Sequence, residues 1–176
     1  MQRYMRMVNY RYVVTVLLSM VFARSAYAQA QAVIYPKITG YVGVIHPIVT
    51  FSKDGTHTNF DGAYVGGLPT GINIWKSRRI GFSFEVVPFI RAADGTSKMN
   101  NLLFHPGLLV SLGHGFVLAN RLAFETSGRY GVTPVLNKVI VKKKDYSYFI
   151  ALPVPARFGN NQPTAVGVGF QFGISF

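Results

Sequence analysis

The last thirteen residues, Thr164 to Phe176, constrain the fold more tightly than any other stretch. Val166, Val168, Phe170, Phe172, Ile174 and Phe176 occupy even positions, and Ala165, Gly167, Gly169, Gln171, Gly173 and Ser175 occupy odd ones. Strict period-two alternation belongs to a β-strand with one greasy face and one small or polar face. A soluble sheet would cover the greasy face with a second layer. Small residues on the opposite face instead suit a crowded, tapered interior, which makes the greasy face an outside that touches lipid.

The amino terminus supplies an address. Arg3, Arg6 and Arg11 precede an apolar run from Tyr12 to Phe22, and Ala26-Tyr27-Ala28 is a small-x-small site before Gln29. This is the pattern of a secretory signal peptide over 1–28, cleaved to leave 29–176 as one domain. A membrane anchor fails on length, because such a run at about 1.5 Å per residue falls short of roughly 30 Å of hydrocarbon.

Composition points the same way. The chain is 49% hydrophobic and only 14% charged, below the charged fraction of an ordinary soluble domain. No stretch after residue 28 offers the roughly twenty continuous apolar residues of a membrane helix. In lipid every backbone polar group must be paired internally, so an exported chain this apolar is expected to close a sheet. Of the formal charge of +12, four arginines (Arg3, Arg6, Arg11, Arg24) belong to the signal segment, leaving fourteen basic and six acidic residues. Export argues against nucleic acid as a partner, so the remaining excess is assigned to lipid phosphates and to pairing in the interior. Cysteine is absent, which excludes thiol chemistry and thiolate metal sites, and no cofactor motif stands out.

Alternation between turn signals predicts eight strands, near 34–50, 62–75, 79–92, 102–112, 116–127, 132–142, 146–157 and 164–176. The third is the clearest internal one: Ile80, Phe82, Phe84 and Val86 alternate with Arg79, Gly81, Ser83 and Glu85. In the sixth, Lys138 falls on the greasy side, and both faces of the first are apolar. Lys76-Ser77-Arg78, Gly113-His114-Gly115 and Lys142 to Asp145 read as tight turns at one end, with longer loops at 52–61, 93–101, 127–131 and 158–163 at the other. Pro47, Pro69, Pro88, Pro106, Pro134, Pro153 and Pro155 all fall inside these strands and each removes a ladder donor, which predicts bulges. With the 93–101 loop centred on Ser97, Pro88 should face Pro106. Trp75, Phe116, Tyr146, Tyr148 and Phe176 are expected to girdle the tight-turn end, and Phe51, Phe60, Tyr64, Phe104 and Phe124 the other.

The signal peptide, the eight alternating segments, the short turns and the aromatic ending resemble the small outer-membrane β-barrels of Gram-negative bacteria, of the OmpA-transmembrane and OmpX/OmpW kind. The resemblance implies an all-β fold, a closed antiparallel up-and-down transmembrane β-barrel of eight strands, in the cell outer membrane. It implies outer-membrane lipid and lipopolysaccharide as partners. It also implies that the barrel-assembly machinery reads Phe170, Phe172, Ile174 and Phe176.

Strand parity sets the candidate site. Arg79, Glu85, Arg91, Arg121, Glu125 and Arg157 share the interior parity with Asn73, His105 and Gln171. Charges shielded from lipid but partly desolvated should pair, so an ion-pair network plugging the lumen is expected. The Gly and Ser face of the last strand reads as clearance for Arg121 and Glu85. Lys53, Lys98 and Arg129 on the longer loops are candidate lipopolysaccharide contacts. The expected role is structural or surface-interacting rather than enzymatic, with a narrow solute channel or a lipid-modifying enzyme as alternatives. Among catalytic and metal candidates, Asp54, His57 and Asp61 read as a solvated turn, and no nucleophile motif accompanies His105.

Overall fold

The computed structural model describes residues 34–176; the signal peptide expected over 1–28 lies outside the described residues. Eleven antiparallel strands form one sheet: β1 (Lys37–Ser52), β2 (Gly55–Thr58), β3 (Tyr64–Gly67), β4 (Thr70–Trp75), β5 (Ile80–Ala93), β6 (Thr96–Gly113), β7 (Phe116–Glu125), β8 (Tyr130–Lys142), β9 (Ser147–Pro153), β10 (Ala156–Phe158) and β11 (Ala165–Ser175). Consecutive long strands pair as hairpins, and β11 pairs with β1 from Tyr41↔Ser175 to Ser52↔Ala165.

This corrects the expected fold. The eight-stranded barrel, and with it the likeness to the OmpA-transmembrane and OmpX/OmpW kind, gives way to eleven strands whose ring of hydrogen bonds is not barrel-shaped. The physical cause lies in three interruptions. The expected second strand breaks at Leu68-Pro69 into β3 and β4, so one edge of β1 meets β2, β3 and β4 in turn. The seventh breaks at Val154-Pro155, and the short β10 then bridges β8 to β11. The first long loop folds back as β2 on the end of β1. The transmembrane, porin-like and narrow-channel readings, which depended on a regular barrel, fall with it.

Proline acts as expected in most places, by interrupting ladders that it cannot donate to. Pro47 lies at a register shift in β1, Pro88 beside one in β5, and Pro69 and Pro155 between strands. Their carbonyls still accept: Pro69 from the Gly43 N–H at 2.9 Å and Pro155 from that of Gly167 at 2.8 Å. Pro106, Pro134 and Pro153 are different, standing in register opposite Phe84, Asn120 and Val135. Pro88 faces Leu102, not Pro106. The reason is the turn: Asp94 and Gly95 both have positive φ and make a two-residue hairpin, so β6 starts at Thr96 and not beyond a loop centred on Ser97.

Alternation survives where the register is regular. In β5, Ile80, Phe82 and Phe84 are exposed while Gly81, Ser83 and Glu85 are buried. In β7, Leu122 and Phe124 are exposed while Ala119, Arg121 and Ala123 are buried. On these two strands the greasy residues therefore lie outside and Glu85 and Arg121 inside, the reverse of a water-soluble sheet. Apolar side chains also share the interior, with Leu109, Ala119, Val135 and Phe149 packed around Tyr41. Trp75 packs against this cluster instead of joining a girdle.

Candidate functional site

A row of polar side chains crosses the interior because the strands place them in register. Across β1, β4, β5 and β6 the aligned residues are Tyr41, Gly71, Glu85 and His105. Across β6, β7 and β8 they are Gly107, Arg121 and Thr133. The two glycines are what allow the large neighbours in. A Cβ on Gly71 would lie 2.5 Å from the Tyr41 hydroxyl, and one on Gly107 would lie 2.6 Å from Arg121 Cγ.

Glu85, 2% exposed, is the centre. Its Oε2 accepts from the Tyr41 hydroxyl at 2.8 Å, and its Oε1 meets His105 Nδ1 at 2.9 Å and Arg121 Nη1 at 3.5 Å. Arg121 Nη2 donates to the Tyr41 hydroxyl and to Ser83 Oγ, each at 3.0 Å. His105 Nε2 lies 2.9 Å from Thr133 Oγ1, which also accepts from Arg157 Nη1 at 2.9 Å. Arg157 Nε then donates to Glu125 Oε1 at 2.7 Å. Glu125 Oε2 accepts from Asn101 and Ser127 at 2.8 and 3.0 Å. Two carboxylates, two guanidiniums and one imidazole thus form a single chain, satisfying the rule that buried charge be both paired and hydrogen-bonded.

The expected network included Arg79 and Arg91, and both stand outside it: each is exposed, and none of the ion pairs among the described residues involves them. Arg79 lies one residue before β5. Arg91 lies past the register shift at Phe89/Ile90, where the alternation of β5 decays. Asn73 and Gln171 face cavities on opposite sides of the polar row, and Asn73 Oδ1 is buried without a partner. Sequence reading missed Tyr41, Ser83 and Thr133 as members; Thr133 and Ser83 do share the inward parity, which was the signal available. On β11, a Cβ on Gly173 would strike the Phe149 ring, and one on Gly169 would lie 3.1 Å from Pro153 Cγ. That clearance therefore serves Phe149 and Pro153, not Arg121 and Glu85.

Lys53 and Lys98 are exposed, whereas Arg129 is half-buried and its Nη2 donates to the carbonyls of Arg157 and Pro163 at 3.2 and 2.9 Å. Arg129 is a structural tie. Asp54, His57 and Asp61 are all exposed, and among the described residues no group of three or more acids and histidines could hold a metal. Lys138, the misfit of the sixth predicted strand, donates from Nζ to the His114 carbonyl at 2.6 Å and sits 4.0 Å from the Phe116 ring centroid. Its ammonium reaches the turn and leaves only its stem on the outer face.

The chain Glu85–His105–Thr133 is a carboxylate, imidazole and hydroxyl in the order that activates a nucleophile. Its surroundings work against that use. Thr133 is 2% exposed, and the adjoining cavity measures about 70 Å³ and is walled largely by apolar side chains and proline. The Thr133 oxygen already accepts from a guanidinium, and a space this size is well below the roughly 300 Å³ at which ligand pockets begin. The geometry pairs each guanidinium of the row with a carboxylate, and Arg121 Nε is left without an acceptor.

No protein-family model matches the chain, and no curated protein sequence does. Among solved structures it is similar to a protein from work on the de novo design of transmembrane β-barrels, with 9% identity, a TM-score of 0.48, and coverage of 81% of this chain and 97% of the other. It is also similar to the solution NMR structure of the de novo designed TMB2.3, with 10% identity, a TM-score of 0.41, and coverage of 80% and 94%.

Proposed function

We propose that the chain is a membrane-associated β-sheet protein of the cell outer membrane, without catalytic activity, whose greasy outer face rests against lipid acyl chains. One observation carries this reading: the inversion of the faces. Phe84 and Phe124 are each 51% exposed while Glu85 and Arg121, next to or near them in sequence, are 2% and 5% exposed. Exposed large apolar side chains recur along β1, β4, β5, β6, β7 and β11, far more than scattered surface hydrophobics account for. Water penalises such a surface, and hydrocarbon does not.

Lipid and lipopolysaccharide are the proposed partners, with exposed Lys53 and Lys98 placed for phosphate contact. The outward Phe170 and Phe172 of β11, with Ile174 and Phe176, are the proposed segment for the barrel-assembly machinery. Nucleic acid and cofactors have no part in this reading.

The test uses the single tryptophan. Trp75 faces the interior, so Trp75→Phe combined with Phe84→Trp or Phe124→Trp moves the only indole to the outer face. In vesicles of lipids brominated along the acyl chain, the indole of either outer-face variant should be strongly quenched and that of Trp75 weakly. Equal quenching in all three proteins would sink the reading, as would an indole in both outer-face variants that bromine leaves untouched and aqueous iodide quenches fully.

A further inference from the structure

On the other side of the polar row from the 70 Å³ space lies a larger cavity, about 260 Å³, that opens at the tight-turn end. Its walls are mixed: Trp75, Phe149, Leu109 and Val139 line it together with Thr39 and Asn137. Four lysines, Lys37, Lys142, Lys143 and Lys144, line its mouth, against one acidic side chain, Asp145. All four are exposed, and none is in an ion pair among the described residues. A run of turn lysines alone would be an ordinary solvated face. Here it stands over a cavity with Trp75 and Phe149 in its walls.

Two of the residues that line it hold buried polar atoms without partners, Arg121 Nε and Asn73 Oδ1, and Arg121 also borders the 70 Å³ space. Arg121 is 5% exposed, and the rest of its guanidinium is spent on Tyr41, Ser83 and Glu85. Asn73 stands opposite Ser83 in the β4–β5 register, Arg121 Nη2 donates to that same Ser83, and both Asn73 and Arg121 line this cavity. One is an N–H that lacks an acceptor and the other a carbonyl oxygen that lacks a donor. A hydroxyl carries both functions, one O–H that donates and lone pairs that accept. Leaving both unmade costs the desolvation of each group.

From these three features we infer that the cavity is a binding site for a small anionic amphiphile with a hydroxyl at its far end, an ω-hydroxy carboxylate. Its carboxylate sits among the mouth lysines, its apolar body between Trp75 and Phe149, and its hydroxyl on Arg121 and Asn73. The volume is just under that of ordinary ligand pockets, so the occupant is a short chain and not a two-tailed lipid. The site is independent of whether the outer face meets lipid.

Trp75 in the wall makes binding visible. The full chain in neutral detergent micelles would be titrated with the ω-hydroxy acids of hexanoate, octanoate and decanoate. Trp75 emission would be followed, and calorimetry would give the stoichiometry. The expected result is saturable one-to-one binding by at least one member, tighter than the parent acid lacking the hydroxyl and tighter than the corresponding uncharged diol. Replacing Lys142, Lys143 and Lys144 with Gln should weaken it about tenfold, since each exposed charge contributes a fraction of a kcal/mol. Val139→Phe should weaken it by narrowing the cavity, since the larger ring takes up part of the 260 Å³. Circular dichroism should show wild-type strand content for the triple lysine variant, whose changes are confined to exposed positions. The inference is overturned if no acid saturates, if the diol binds as well as the acid, or if Val139→Phe binds as wild type does. It is equally overturned if only micelles doped with phosphatidylglycerol shift Trp75, which would make the end a lipid-headgroup surface.

Discussion

Among the described residues, the interior row and the tight-turn end both gather cations, and they use them in opposite ways. In the row, Arg121 and Arg157 are each matched to a carboxylate, Glu85 at 3.5 Å and Glu125 at 2.7 Å. At the turn end, Lys37, Lys76, Arg78, Arg79 and Lys142 to Lys144 are exposed, with Asp145 the one acid in the adjoining turn. Burial decides the difference. A desolvated cation without a partner costs several kcal/mol, so the interior admits only balanced charge, whereas hydrated lysines carry an imbalance at little cost. Stability should therefore reside in the row and electrostatic recognition at the end.

The largest expected effect breaks the balance of the row. Glu85→Ala strands Arg121 and leaves Tyr41 and His105 without an acceptor, which should lower the unfolding free energy in detergent by about 3–5 kcal/mol. The charge-free pair Glu85→Leu with Arg121→Met should recover the part of that loss due to the stranded guanidinium, while Tyr41 and His105 still lack an acceptor. Urea titrations of the three proteins would show it, and a double variant no better than the single would mean that the ion pair itself supplies the stability.

Next in size is Arg157→Ala, at the less buried margin of the same chain. Its loss frees Glu125 and one contact to Thr133, but Glu125 keeps Asn101 and Ser127. About 2 kcal/mol is expected, below the cost at Glu85, because the remaining carboxylate stays hydrogen-bonded and partly hydrated. A loss equal to that of Glu85→Ala in the same titration would erase the distinction between the centre and the margin.

A smaller effect tests how the row is accommodated. Gly71→Ala places a methyl against the Tyr41 hydroxyl and 2.6 Å from the Phe84 carbonyl, and backbone yields poorly. Overpacking of this kind costs about 1–3 kcal/mol. Tyr41→Phe in the same background should relieve part of the clash, read as a gain in urea midpoint over Gly71→Ala alone.

The row was largely legible in sequence because parity within a regular strand fixes which side chains share a face. Glu85, Arg121, His105 and Gln171 are buried for that reason, and β5 and β7 alternate as their residues dictate. Parity says nothing past a register shift or a strand end, which is why Arg91 and Arg79 left the set. Tyr41 was hidden because both faces of its strand are apolar and a lone hydroxyl is the one polar mark it carries. The architecture was less legible than the faces. Pro69 and Pro155 signalled bent strands, but a proline does not reveal whether the ladder bulges, as at Pro47, or breaks in two, as it does at Pro69 and Pro155. The cavity at the turn end was not legible at all, since Asn73, Trp75 and the lysines of the 142–144 run meet only through the pairings of β4 with β1, β1 with β11 and β11 with β9.

The smallest expected stability effect is also the one that divides the two regions most cleanly. Changing Lys142, Lys143 and Lys144 together to Gln removes three charges and no described side-chain hydrogen bond or ion pair, so the unfolding free energy should move by no more than about 0.5 kcal/mol. Relief of mutual repulsion gives the shift a stabilising sign, strongest at low ionic strength, where the Debye length is long. A loss of about 1 kcal/mol or more, twice the scatter of ordinary surface changes, would mean that the turn lysines hold the fold, and that cations at this end serve stability as they do in the row.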